Sequence, residues 1–152
     1  MRIALGADHA GWSYKRTLAP ELRDAGHEIL DVGTDGPDPV DYPDFARAVA
    51  ERVAAGEADR GIVLCGSAVG VSIVANKVPG VRAGVCHDTY SAHQCVEHDD
   101  ANVLCLGERV IGIELAREVV RAFLGARFTG EDRHRRRLEK LLAVERAYLR
   151  HP

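Results

Sequence analysis

Cys65 closes the apolar run Arg60-Gly-Ile-Val-Leu-Cys and opens the small-residue turn Gly66-Ser67-Ala68-Val69-Gly70, beyond which Val71 to Lys77 has helical spacing. Ile62 to Leu64 carry no polar interruption, as in a strand buried on both faces. A buried strand that turns through small residues into a helix aims several backbone N–H groups at one point. The helix dipole adds partial positive charge there, so the turn suits an anion. A thiol at its mouth is expected to have a lowered pKa and to act as a base or nucleophile near neutral pH. The same residues also suit a structural βα turn with an inert, buried cysteine.

Other chemistry-bearing residues stand at comparable places. Asp8-His9 pairs a carboxylate with an imidazole at the end of the run Met1 to Ala7, and His87-Asp88 closes the run Gly80 to Cys86. His98-Asp99-Asp100 lies just before another apolar run, where it is either a catalytic acid with neighbours or a solvated helix end. Arg133 and Arg137 are four apart and share one helical face, the spacing of a clamp for a single phosphate. A solvated charged face is the competing reading of that basic run. A nucleic-acid surface would need interleaved aromatics and a wider basic area. His87, His93, Cys95 and His98 match no compact zinc spacing, so no metal is expected.

Positioning these groups requires a regular frame. Met1–Ala7, His27–Gly33, Arg60–Cys65, Gly80–Cys86 and Ala101–Gly107 read as strands. Helical spacing occupies Trp12–Ala25, Tyr42–Ala55, Val71–Lys77, a short stretch ending at His98, and Ile111–Leu124. Leu18, Leu22 and Ala25 are expected on one face, and Leu115, Val119 and Phe123 inward. Five alternations of this kind predict an α/β domain, a three-layer Rossmann-like fold whose five-stranded parallel sheet has right-handed crossovers. Ligands bind such sheets beyond the C-terminal strand ends, where strand order reverses. The tail adds a helix at about 132–150 whose Leu138, Leu141, Leu142 and Val144 form an apolar stripe. It has no strand of its own to cover and is expected to pack on a partner subunit.

A chain of 152 residues fits one domain, here 1–152. With 20 basic and 23 acidic residues the net charge is -3, so no overall field favours nucleic acid or membrane. The start of the chain lacks the build of a signal peptide, and no apolar run reaches the length of a membrane span. Four scattered cysteines, without a Cys-x-x-Cys pair, suit free thiols in a reducing compartment, so the expected location is cytoplasmic.

The segments Gly6-Ala-Asp8-His9-Ala-Gly11, Asp41-Tyr-Pro43, Cys65 to Gly70, Ala75-Asn76-Lys77, Asn102 to Gly107 with Arg109, and Arg133-His134 with Arg137 form an ordered set along nearly the whole chain. In that order and spacing the chain resembles the ribose-5-phosphate isomerase B family, which includes galactose-6-phosphate isomerases. The resemblance implies aldose–ketose isomerisation of a phosphosugar without cofactor or metal, in a homodimer (or a tetramer) with shared active sites. It implies Cys65 as the proton-abstracting base and His98 as the acid that opens the sugar ring. Some members place a Glu base at the position of Val71, which puts this chain in the Cys branch. By the same carry-over Asp8 and His9 touch the sugar, the amides of Gly66, Ser67, Ala68, Val69 and Gly70 hold an enediolate, and Arg109, Arg133 and Arg137 bind the phosphate.

Two positions depart from the family pattern. Ala68 stands where Gly is frequent, adding a methyl to the anion loop. Asp99 stands where most members have an Asn implied to contact the sugar, and an ionised Asp can accept a hydrogen bond but not donate one. The substrate is therefore ribose 5-phosphate or a related phosphosugar of four to six carbons. The alternative is a non-catalytic phosphosugar- or nucleotide-binding module, which would have no need for Cys65 and His98 together.

Overall fold

The computed structural model describes residues 1–148 of the chain; Leu149, inside the expected tail helix, lies outside them. The elements run β1 (Arg2–Ala7), α1 (Trp12–Asp24), β2 (Glu28–Asp31), α2 (Tyr42–Ala54), β3 (Arg60–Cys65), α3 (Val69–Ala75), β4 (Ala83–Val85), α4 (Thr89–Asp99), β5 (Val103–Gly107), α5 (Ile113–Gly125) and α6 (Asp132–Tyr148). All strand pairs are parallel, in the order β2-β1-β3-β5-β4.

The period-2 alternation of strand side chains splits the interior into two layers. Ile3, Leu5, Ala7, Ile62, Leu64, Leu104 and Leu106 face α1, α4 and α5, where Leu18, Leu22, Val96, Val119 and Phe123 meet them. Ala4, Val63, Val103 and Cys105 face α2 and α3, against Val49, Ala50, Val71 and Ala75. Each large aliphatic side chain so buried stabilises the fold by roughly 1.5–3 kcal/mol. The three-layer, five-stranded parallel architecture expected from the alternation is the one observed, and chain order reverses between β1 and β3.

The differences are local. β4 is three residues long rather than seven, and ahead of it a side chain meets the Gly80 and Arg82 backbone where a strand neighbour would. Asn102 Oδ1 accepts from the Arg82 amide at 2.8 Å, and its Nδ2 donates to the Gly80 carbonyl at 2.9 Å. Asn76 brackets Ala83, the first residue of β4, accepting at 2.8 Å and donating at 2.9 Å. Ala25 is exposed. Leu115 is also exposed, since Ala116, Val119, Val120 and Phe123 set the phase of α5 and one residue back rotates about 100° outward. On α6, Leu138 and Leu142 are half-buried while Leu141 and Val144 stay exposed.

Candidate active site

Where strand order reverses, the C-terminal ends of β1 and β3 bring Asp8 and Cys65 together. The Cys65 thiol donates to Asp8 Oδ2 at 3.0 Å. Asp8 is 4 % exposed, and its Oδ1 accepts from the amides of Ala10 and Gly11 at 2.9 and 3.0 Å. This turn fits only because residue 11 is glycine: a Cβ there would stand 2.3 Å from the backbone carbonyl carbon of Leu64. His9 Nδ1 accepts from the Val40 amide at 3.2 Å, which ties the loop before α2 to the site and leaves the ring proton on Nε2.

These groups line a cleft of about 360 Å³ together with Ser67, Tyr42 and Arg109. The Arg109 turn is bonded to the cysteine loop through Glu108 N–H to the Cys65 carbonyl at 2.8 Å and Arg109 N–H to the Gly66 carbonyl at 3.0 Å. Glu108 also completes the N-terminus of α1, whose own cap, Gly11, offers no side chain. Its carboxylate accepts from Ser13 Oγ at 2.8 Å and from the Tyr14 amide at 3.2 Å.

The expected lowering of the Cys65 pKa is overturned. Burial pushes the thiol up, the hydrogen bond to Asp8 and the charge of Asp8 push the same way, and the Ser67 and Gly66 amides oppose them too weakly. Anion-stabilising amides are present, but a buried carboxylate stands nearer in effect. Ala68 takes the left-handed conformation, φ 70°, with its methyl fully buried. A non-glycine residue there is strained by roughly 1–2 kcal/mol.

The remaining expected residues lie elsewhere on the same chain. A parallel crossover starts α4 beside the C-terminal end of β4 and returns it to the N-terminal end of β5. Eleven residues of helix span about 16 Å, so His98 and Asp99, at the end of α4, are a helix length from the cleft. Gln94 Nε2 donates to His98 Nδ1 at 2.8 Å, leaving the imidazole proton on Nε2. The ring stacks on His134, with centroids 4.2 Å apart and planes at 28°. His134 is fully buried, 2.6 Å from the Thr129 hydroxyl through Nδ1, and its Nε2 has no hydrogen-bond partner among the described residues. Thr129 N–H donates to the Glu97 carbonyl at 3.1 Å, docking the start of α6 on α4. Arg133, paired with Glu131 at 2.9 Å, and Arg137 are exposed on that first part of α6. Asp99 borders a larger groove of about 530 Å³ between the β4 edge and α6.

The structure thus divides the expected site in two. Asp8, His9, Cys65, Gly66, Ser67, Gly70 and Arg109 line the cleft, while Ala68 is buried; His98, Asp99, Arg133 and Arg137 gather at the opposite end of the sheet. Tyr42 received no role from the sequence, although it stands in the Asp41-Tyr-Pro43 segment. Its ring so closely covers the anion loop that a Cβ on Gly70 would lie 2.7 Å from Cζ. His87 has a structural part, its Nε2 accepting from the Gly107 amide at 2.9 Å. Among the described residues no three His, Cys, Asp or Glu side chains converge as a metal site, and no helix is long and apolar enough to cross a membrane.

Residues 3–141 match a family model described as Ribose/Galactose Isomerase. Ribose-5-phosphate isomerase B of Escherichia coli is 46 % identical over 144 residues, covering 95 % of this chain and 96 % of that protein. D-erythrulose-4-phosphate isomerase 2 of Mycolicibacterium smegmatis is 43 % identical over 150 residues, covering 97 % and 99 %. The solved structure of Clostridium thermocellum ribose-5-phosphate isomerase B superposes with a TM-score of 0.95 at 51 % identity, covering 97 % of this chain and 99 % of that one.

Proposed function

The chain belongs to the ribose/galactose isomerase family and is a sugar-phosphate isomerase, and from that premise we propose that it interconverts ribose 5-phosphate and ribulose 5-phosphate, or a closely related phosphosugar pair, with Cys65 as base. The observation that carries this reading is the Cys65–Asp8 hydrogen bond at 3.0 Å in a cleft also lined by Arg109. Moving a proton between two adjacent carbons needs a base, donors for the developing oxyanion, and a remote anchor that fixes geometry. Cys65 supplies the base, the amides of Gly66 to Gly70 the donors, and arginines the anchor. A thiol with a raised pKa must first lose its proton. Asp8 Oδ2, already its acceptor, is placed to take it.

His98 is assigned as the acid that opens the sugar ring, through its Nε2–H. It lies a helix length from Cys65 in its own chain, so a working site takes His98, Asp99, Arg133 and Arg137 from a second subunit. Such a homodimer presents the first part of α6 to its partner's cleft. Arg109 of one chain then joins Arg133 and Arg137 of the other on the phosphate. Relatives named for D-erythrulose 4-phosphate, ribose 5-phosphate and galactose 6-phosphate support a substrate range of four- to six-carbon phosphosugars.

Interconversion assays over a panel of aldose and ketose phosphates test the reading. One pair of four to six carbons is expected to turn over, and Cys65→Ser to abolish turnover while phosphosugar binding stays near the parent value, since a hydroxyl is too weak an acid to act as an anionic base near pH 7. Activity of that variant within a few-fold of the parent would remove Cys65 from the mechanism.

A further inference from the structure

Two thiols that the isomerase reading leaves unused lie side by side at the β4 edge. Cys86 follows β4 and Cys95 sits in the middle of α4, with their sulfurs 3.9 Å apart and the Cys86 thiol donating to Cys95 Sγ. Cys86 is buried, whereas Cys95 is half-buried and lines the groove beside Arg82, Asp99 and Leu141. Gly84 leaves space around both: a Cβ there would stand 3.4 Å from Cys86 Sγ and 3.7 Å from Cys95 Sγ. The sulfurs therefore have room to turn toward each other, and bond formation needs them to close to about 2.05 Å.

We propose that Cys86 and Cys95 form an oxidisable dithiol, a modification site at which a peroxide is reduced while an intramolecular disulfide forms between β4 and α4. Cys95 attacks first. It is the more accessible sulfur, and the hydrogen bond donated by Cys86 lowers its pKa, with the Arg60 charge adding to this and burial and Asp99 opposing it. The Cys95 thiolate attacks one peroxide oxygen, the O–O bond breaks, and the departing oxygen leaves as water or an alcohol once protonated. The resulting sulfenic acid is attacked by Cys86 sulfur, which gives up its proton as the S–O bond breaks and a second water leaves. With hydrogen peroxide the balance is two thiols and one peroxide to one disulfide and two waters, a two-electron oxidation of sulfur.

The neighbouring thiols do not compete for this bridge. Cys105 is fully buried and its thiol is pushed up by burial, while Cys65 is hydrogen-bonded to Asp8 in the cleft. The bridge spans nine positions of chain and fastens α4 to the sheet one turn ahead of His98 and Asp99. None of this depends on which sugar the cleft takes.

The test is thiol mapping of the intact wild-type protein after hydrogen peroxide, alkylation of the remaining thiols, and digestion after acidic residues. Cleavage at Asp88 and Glu97 separates Cys86, Cys95 and Cys105 into different peptides. The expected product is a Cys86–Cys95 cross-linked pair that has lost two hydrogens and returns fully to two alkylatable thiols with dithiothreitol. Cys95→Ser is expected to abolish the cross-link, and Cys86→Ala to let dimedone trap a sulfenic acid at Cys95. Full alkylation of both cysteines after peroxide has oxidised Cys65, or a disulfide joining Cys95 of two chains, would overturn the proposal. The wild-type map decides even if a variant fails to fold.

Discussion

Asp8 does two things to Cys65 that pull in opposite directions. It holds the thiol proton and so raises the pKa of the group meant to act as a base, yet it is also the acceptor to which that proton can go. Replacing Asp8 by Asn removes the charge and the acceptor carboxylate while keeping the shape. The Cys65 pKa then falls, leaving burial as its main upward cause, and alkylation by iodoacetamide at pH 7–8 is expected to become severalfold faster. Turnover is expected to fall in the same variant, since the proton has lost its destination. An alkylation rate equal to the parent's would show that the carboxylate does not govern the thiol.

Two helix ends set the geometry. The N-terminus of α1 is pressed on β3 at Gly11 and capped from a distance by Glu108, so hydrogen bonds tie the Asp8 turn, the Cys65 loop and the Arg109 turn together. The end of α4 is held by the start of α6, where His134 lies flat against His98. Burial, His98 and Arg133 lower the His134 pKa from its usual value. The unfolded chain protonates this ring at about 6.5 and the folded protein only at lower pH, so between the two values the unfolded state binds more protons. Stability from this group is full above about pH 6.5 and is lost as the pH falls below it. Denaturant midpoints measured from pH 7.5 to pH 5.5 are expected to decline, and to decline less in His134→Leu; an identical acid slope in that variant would place the titration elsewhere.

At the scale of the molecule, the proposed site needs two groups of residues that one chain keeps apart, and α6 leaves Leu141 and Val144 42 % and 60 % exposed. Burying such side chains against a second copy would contribute roughly 1.5–3 kcal/mol each. Sedimentation at micromolar concentration is expected to give a dimer or a multiple of it. Complementation is the sharper measurement. In a heterodimer of Cys65→Ser and His98→Asn chains, one site combines intact Cys65 with intact His98 and the other has lost both. Random reassortment of the two inactive variants should restore roughly a quarter of parental activity. No recovery after verified exchange would mean that both residues act within one chain.

Most of the fold was legible because it rests on local periodicity. Unbroken apolar runs such as Ile62–Leu64 mark strands buried on both faces, and the spacing of Val119 and Phe123 marks a helix face, whatever the remainder of the chain does. The placement of Asp8 and Cys65 was legible for a related reason: both end strands, and a parallel sheet opens its crevice at such ends. What the sequence could not determine depends on distance between residues far apart in the chain. The short β4 goes with the Asn102 side chain taking the Arg82 amide and the Gly80 carbonyl, which no pattern within residues 80–86 records. The raised Cys65 pKa follows from burial and from a carboxylate 57 positions away, whereas the turn's own residues pointed to a lowered one. The separation of His98 from Cys65 follows from the direction of α4, which a parallel crossover reverses relative to the strands it joins. Residue types and spacing therefore determined which groups could do chemistry, and tertiary structure decided which of them meet, because titration and contact depend on separation in space rather than along the chain.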